Sequence, residues 1–222
     1  MLADICGAPM RITGAGRTDA GVHASGQVID FRTASDLGAN ELTRGVNALL
    51  PEDIAVSELS EADERFHSRF SATGRTYEYR IRNAPVRDPL WIRREHVVAD
   101  ALDLEALRAA SRVLLGRHDF AAFAAGVSGE RMVRRAEWAD GASVLRFEIE
   151  ADAFLRGMVR GIVGTLLWVG RGRIDPDRFG EIMRSRDRAQ AGPSAPPRGL
   201  CLVAVRYGEG DGRQEGESEN DE

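Results

Sequence analysis

Apolar positions along the 222-residue chain follow two periods in turn, a helical one and a simple alternation. Leu42, Val46, Leu49 and Leu50 recur at helical spacing and stop at Pro51, which predicts a helix over 39–50. Residues 54–59 then alternate in the manner of a strand. In 73–82, Tyr77, Tyr79 and Ile81 share one face while Thr76, Glu78 and Arg80 share the other, as a period of two requires. Two prolines in 83–89 predict a crossing between structural units. Beyond it, Asp103 reads as the N-cap of a helix running to about residue 115, with Leu104, Leu107, Val113 and Leu114 on one side. Residues 131–139 and 144–151 read as strands. In the second, Leu145, Phe147, Ile149 and Ala151 alternate with Arg146, Glu148 and Glu150, the pattern of a sheet covered on one face. A long apolar helix is predicted over 154–169, with Gly157, Gly161 and Gly164 permitting close approach, then a short helix over 176–184 and a final strand over 200–207. Nearer the start, 27–32 is β-rich, and 14–25 reads as a long loop.

This order predicts an α+β fold of two similar halves, 1–92 and 93–207, with a largely antiparallel sheet and helices on one face. Residues 208–222 are polar and acidic and are predicted to be disordered.

Composition adds exclusions. The hydrophobic fraction is 43% and the charged fraction 29%, and no apolar run approaches the roughly 20 residues of a membrane-spanning helix. No basic segment followed by an apolar one opens the chain, so a cytoplasmic protein is expected. Cys6 and Cys201, far apart, read as reduced and mostly buried thiols. The net charge of −5 is concentrated at the end of the chain: 208–222 holds seven acids and one arginine, which leaves the rest near neutral. All of the basic residues are arginines, whose planar fork of donors suits phosphate oxygens and base stacking. Coding bias accounts for that composition equally well. His23, His67, His96 and His118 form no metal-ligand spacing with either cysteine, and no metal site is expected.

The segment Gly14-Ala15-Gly16-Arg17-Thr18-Asp19-Ala20-Gly21-Val22-His23-Ala24 is the most unusual in the chain. A phosphate-binding loop would need Gly-Lys-Ser/Thr, and a dinucleotide fingerprint would need glycine where Asp19 stands. Glycines flanking Arg-Thr-Asp instead allow a tight turn that projects a guanidinium and a carboxylate. A purely structural turn capped by Asp19 fits the same residues.

Residues 15–24 resemble the defining motif of the TruA family of tRNA pseudouridine synthases. Further similar strings follow in order: Arg69-Phe70-Ser71-Ala72-Thr73 with Arg75-x-Tyr77-x-Tyr79; Gly116-x-His118-Asp119-Phe120; Ala153-Phe154-Leu155 with Met158-Val159-Arg160; and Ala195-Pro196-Pro197-x-Gly199-Leu200. The resemblance covers residues 1–207. It implies the pseudouridine synthase fold with a cleft between its halves, a homodimer, and isomerisation of uridine at positions 38–40 in the anticodon arm of tRNA without a cofactor. By the same resemblance Asp19 is the catalytic carboxylate, as nucleophile or as base, and Arg160 is its ion-pair partner. Tyr77 stacks on the target base and is a candidate for proton transfer, Arg17 enters the RNA stem, and Leu155 lines the base pocket. His23 lies in the loop motif without a proton-transfer role and is expected to order the loop. Members of the family begin earlier, with a strand carrying Tyr-Asp-Gly and Gly-Trp-Gln and then a helix. Neither signature is present, and residues 1–8 resemble only the end of that helix. An inactive RNA-binding remnant of the family is therefore the alternative function.

Overall fold

The computed structural model describes residues 2–208, so the expected acidic tail lies, apart from Gly208, outside the described residues. In chain order the elements are α1 (Leu2–Cys6), β1 (Thr13–Gly14), β2 (His23–Ala24), β3 (Ile29–Asp30), α2 (Ala39–Leu49), β4 (Ala72–Asn83) and β5 (His96–Val98). There follow α3 (Leu104–Arg112), β6 (Gly116–Asp119), β7 (Glu130–Ala139), β8 (Val144–Ala151), α4 (Met158–Gly170), α5 (Pro176–Ser185) and β9 (Leu200–Tyr207). The architecture is α+β with a mostly antiparallel sheet. The described chain forms two compact units, one of residues 2–15, 28–72 and 207–208, the other of 16–27 and 73–206. A boundary at 92/93 falls inside the larger unit. There β5 returns parallel to β4, with Ile81 opposite His96 and Asn83 opposite Val98, so backbone pairing carries across it.

In the smaller unit α2 forms where the periodicity places it. The Glu41 carboxylate accepts from Gly38 N (3.2 Å), and Leu42 and Val46 are its buried side chains. Ile5 of α1 lies against Gly45. β1 and β3 pair antiparallel, and buried Ser68 fastens them by donating through N to Asp30 Oδ1 (2.8 Å) and through Oγ to Thr13 O (3.1 Å). The strand expected over 54–59 does not form. Those residues have no strand partner among the described residues; instead the Asn47 side chain takes both backbone groups of Val56, each at 2.8 Å. An alternating pattern marks residues able to pair, and pairing still needs a neighbouring backbone. Ile12, Ile29, Leu37, Leu49, Ile54 and Phe70 of this unit remain exposed.

The larger unit holds a sheet in the order β2-β9-β4-β8-β7-β6, with β5 on β4. The β4–β8, β8–β7 and β7–β6 pairs are antiparallel, whereas β2–β9 and β4–β5 are parallel. Tyr79, Phe147 and Trp138 lie opposite one another across β4, β8 and β7, as do Tyr77, Ile149 and Ala136, and this face carries the core. Buried Trp138 donates to Ser111 Oγ (2.8 Å) and so fastens α3 to β7. The other face brings Glu78, Glu148 and Glu137 into one row. Like charges at that spacing repel; Arg135 pairs with Glu148, Arg206 with Glu150 (3.0 Å) and Arg80 with Glu78 (3.6 Å).

Helix ends follow local chemistry. Asp103 Oδ1 caps α3 through Ala106 N (2.9 Å), and Asp175 caps α5 with Pro176 at its first position. α3 stops at Arg112, short of residue 115, because residues 113–115 bond three positions back and tighten the last turn into Gly116 at φ 97°. α4 begins at Met158 and not at residue 154. Gly157 precedes it at φ 71°, a left-handed conformation that closes a turn from Leu155 to Met158 and leaves Phe154 outside the helix. Cys6 and Cys201 are both half-buried and free.

Gly164 of α4 faces the Pro193 carbonyl so closely that a Cβ would overlap backbone. Gly164→Ala is expected to cost roughly 1–3 kcal/mol or more, because the obstacle is main chain and cannot swing away. A thermal midpoint within a degree of the parent's would contradict that contact. His96 supplies a pH test. Burial, reinforced by Arg198 and Arg171, lowers its pKa to about 4, and its buried Nδ1 has no hydrogen-bond partner among the described residues. The fold favours the neutral ring, so this contribution is complete above the ordinary value of about 6.5 and is lost as pH falls towards 4. His96→Gln should flatten the decline of the urea midpoint over that interval; parallel curves for the two proteins would refute the assignment.

Candidate active site

The glycine-flanked loop is held at its base by a side chain without an assigned role in the motif. Gln27 Nε2 donates to Gly16 O (2.8 Å) and its Oε1 accepts from Gly16 N (3.3 Å), which pins the two ends of the loop together. Within it, Val22 N donates to Asp19 O (3.0 Å) and Gly21 sits at φ 80°, where a side chain would be strained and would press on Pro197. After the turn, β2 pairs with Cys201 and Leu202 of β9, and Ser25 and Gly26 both donate to Leu202 O. His23 Nε2 makes a 2.7 Å hydrogen bond with Arg93 O. The turn thus projects Asp19 while one flank is held by Gln27 and the other is paired with β9.

Arg160 reaches Asp19 from α4. Its Nη1 donates to Asp19 Oδ2 at 2.9 Å, the carboxylate being 44% exposed and the guanidinium 21%. Its Nε donates to Ala195 O (2.8 Å), and Ala195 N donates back to Arg160 O (2.9 Å). A guanidinium held at Nε has its fork aimed, so the outer nitrogen meets the carboxylate in one orientation. The residues after Ala195 are anchored in turn. Tyr79 donates to Pro196 O (2.8 Å), Gly199 lies against the Tyr79 ring, and Arg198 Nε donates to Glu95 O (3.1 Å). Residues 195–199 therefore form a strap that touches α4, β4 and the Asp19 turn before entering β9.

Tyr77 projects from β4, nearly buried, with its hydroxyl 3.7 Å from the position a Cβ on Gly16 would take. Burial pushes its phenol above the ordinary tyrosine range; Arg75 opposes this, and Asp19 and Cys201 add to it. A neutral hydroxyl at physiological pH follows. Phe154 meets its ring edge-on, with centroids 5.1 Å apart. Leu155, next to Phe154 in the chain, is buried at the start of the turn before α4. Arg17 is exposed, two residues before Asp19 on the same loop. Five expected site residues, Asp19, Arg160, Tyr77, Leu155 and Arg17, thus belong to one compact unit. Two of them, Asp19 and Arg160, are in direct contact.

The geometry also involves residues to which the sequence attaches no role. Ala195 acts through its carbonyl and Gly21 through its backbone angle, and neither is legible as chemistry. Phe154 and Tyr79 lie within recognisable strings, where an aromatic reads as core. Gln27 offers the one usable signal, an amide at the start of a β-rich run directly after the glycine loop.

A family model described as tRNA pseudouridine synthase matches residues 110–208. The chain is 43% identical over 210 residues to a tRNA pseudouridine synthase A of Syntrophotalea carbinolica, an alignment that covers 93% of this chain and 83% of the relative. It is 48% identical over 208 residues to the protein of that name from Chloroflexus aurantiacus, covering 89% and 74% of the two chains. Against the one from Chromobacterium violaceum it is 44% identical over 197 residues, covering 87% and 75%.

Tyr79→Phe tests whether the strap is held as described. It removes the donor to Pro196 O and nothing else, leaving a carbonyl unsatisfied, and is expected to lower stability by about 1–3 kcal/mol in urea unfolding. Unchanged stability would mean that the hydroxyl does not anchor the strap.

Proposed function

The chain belongs to the tRNA pseudouridine synthase A family and is an isomerase that converts uridine in tRNA to pseudouridine; we propose that it acts at positions 38–40 of the anticodon arm with Asp19 as its catalytic carboxylate. The observation that carries the site assignment is the 2.9 Å pair between Asp19 and Arg160, held in aim by the Ala195 carbonyl. The guanidinium places a positive charge directly beside the carboxylate and fixes its orientation by a charge-assisted hydrogen bond.

The reaction is a redox-neutral rearrangement. The bond from N1 of the base to C1′ of the ribose breaks, a bond from C5 to C1′ forms, the proton on C5 leaves, and N1 gains one. No electron acceptor or donor is required, and the proposal needs no cofactor or metal. Asp19 serves either as nucleophile at C1′ or as base at C2′. Tyr77, with its raised phenol pKa, supplies a neutral ring for stacking on the base and a hydroxyl for proton relay near C5. Leu155 lines the base pocket. Arg17 enters the stem and helps displace the target nucleotide, because the glycosidic bond is inaccessible in a stacked helix.

The resemblance of the motifs supports a homodimer working in the cytoplasm, and no helix among the described residues is long and apolar enough to cross a membrane. No specific observation favours an inactive remnant over the enzyme, since Asp19, Arg160 and Tyr77 lie in one compact unit.

Asp19→Asn keeps the volume and removes the charge. It is expected to abolish pseudouridine formation in a tRNA transcript while leaving tRNA affinity within a few fold. Detectable turnover by this variant would overturn the role of Asp19.

A further inference from the structure

The eleven residues 84–94, between β4 and β5, sort their charges in an unusual way. The acid within this segment and the one that follows it are turned inward. Asp88 pairs with Arg82 (3.2 Å), and Glu95, 1% exposed, receives Arg82 (2.7 Å) and Arg80 (3.3 Å) from β4. The arginines of the segment itself face out: Arg87, Arg93 and Arg94 are exposed and make no ion pair among the described residues. Beside them stand three apolar side chains that a solvated loop has no reason to display, Leu90 at 90% exposure, Val86 at 72% and Trp91 at 40%.

The loop is braced, with Asp88 Oδ1 accepting from Leu90 N (3.0 Å), Trp91 N donating to Asp88 O (3.1 Å) and Arg94 N to Trp91 O (2.7 Å). The Arg80 guanidinium lies 4.9 Å from the centre of the Trp91 ring, which fixes the indole against β4 and leaves part of it to solvent. The Arg93 carbonyl holds His23, four residues after Asp19. The tip is therefore preorganised and physically tied to the catalytic loop.

We propose that residues 84–94 are an RNA-contacting element, in which Arg87, Arg93 and Arg94 engage phosphates and Trp91 with Leu90 stack on or wedge against unpaired bases of the tRNA. This rests on the tRNA substrate proposed above and extends it to a surface outside the Asp19 pocket. Charge complementarity selects the occupant. Three outward guanidiniums without acidic partners fit a polyanion, and they would repel the same tip of a second copy. Rigid bracing lowers the ordering cost of the contact.

The test uses the full chain and an unmodified tRNA transcript, with affinity measured from about 50 to 300 mM salt, pseudouridine formation in the same samples, and molecular mass by sedimentation. Arg87→Gln, Arg93→Gln and Arg94→Gln together should weaken binding roughly tenfold or more and reduce the salt slope by about 2–3, as expected for three lost phosphate contacts. Leu90→Ser, at a side chain outside the core, should weaken binding severalfold with the salt slope unchanged. Parent-like affinity in both variants, while the parent forms pseudouridine, would overturn the proposal and leave the function intact. A parent that neither binds nor modifies tRNA would remove both. If Leu90→Ser instead halved the sedimenting mass and the affinity loss followed the mass, the tip would be a contact between copies and the RNA assignment would be wrong.

Discussion

The Arg160 guanidinium is divided between two acceptors, and much of the larger unit is arranged so that this division holds. One nitrogen meets the Asp19 carboxylate and another the Ala195 carbonyl. A cation facing only a half-exposed carboxylate would swing on its three-carbon stem, and a pair of that kind contributes little. With Nε held by main chain, the fork is aimed before substrate arrives, which is the condition for electrostatic help without reorganisation. The closeness of the segment around Ala195 to α4 in turn requires small residues on the helix. Gly164 meets the Pro193 carbonyl and Gly161 that of Phe123. A glycine stripe that weakens helix propensity is thus what lets main chain, not side chain, orient Arg160.

Polar groups elsewhere in this unit obey the same logic of satisfaction at close quarters. Glu95 and Glu150 are buried carboxylates, and each is met by two arginines. An unpaired charge at such a position would be prohibitive. On the outer face of the sheet a row of glutamates is tolerable because arginines of β7, β9 and β4 interleave with it. The abundance of arginine in the composition therefore has a structural share: some guanidiniums are consumed inside, whereas Arg87, Arg93 and Arg94 are left outside.

The smaller unit is built on a different balance. Its buried apolar residues are few, Leu42 and Val46 foremost, and its connections are largely polar: Ser68 to β1 and β3, Asn47 to Val56, Tyr207 to Ser68. Such a unit draws its order from hydrogen bonds more than from area removed from water. Its opening energies belong at the low end of the range within one protein.

Periodicity by itself determined the elements whose residues alternate or repeat against a single core. The strand over 144–151 and the last one over 200–207 begin and end where the pattern does, the Asp103 and Asp175 caps act through the next few residues, and the motif around Asp19 identifies the family. These are local properties, since propensity, capping and turn chemistry depend on neighbours in sequence. Tertiary structure alone decided the partners. It left 54–59 unpaired because the Asn47 amide took the place of a strand, turned β2 and β5 parallel to their neighbours, and delayed the helix past Gly157 so that Phe154 meets Tyr77 from outside it. It also chose a backbone carbonyl to aim Arg160. A carbonyl has no identity in sequence, and a pairing across 35 residues, or across the 141 between Asp19 and Arg160, depends on how the whole chain closes.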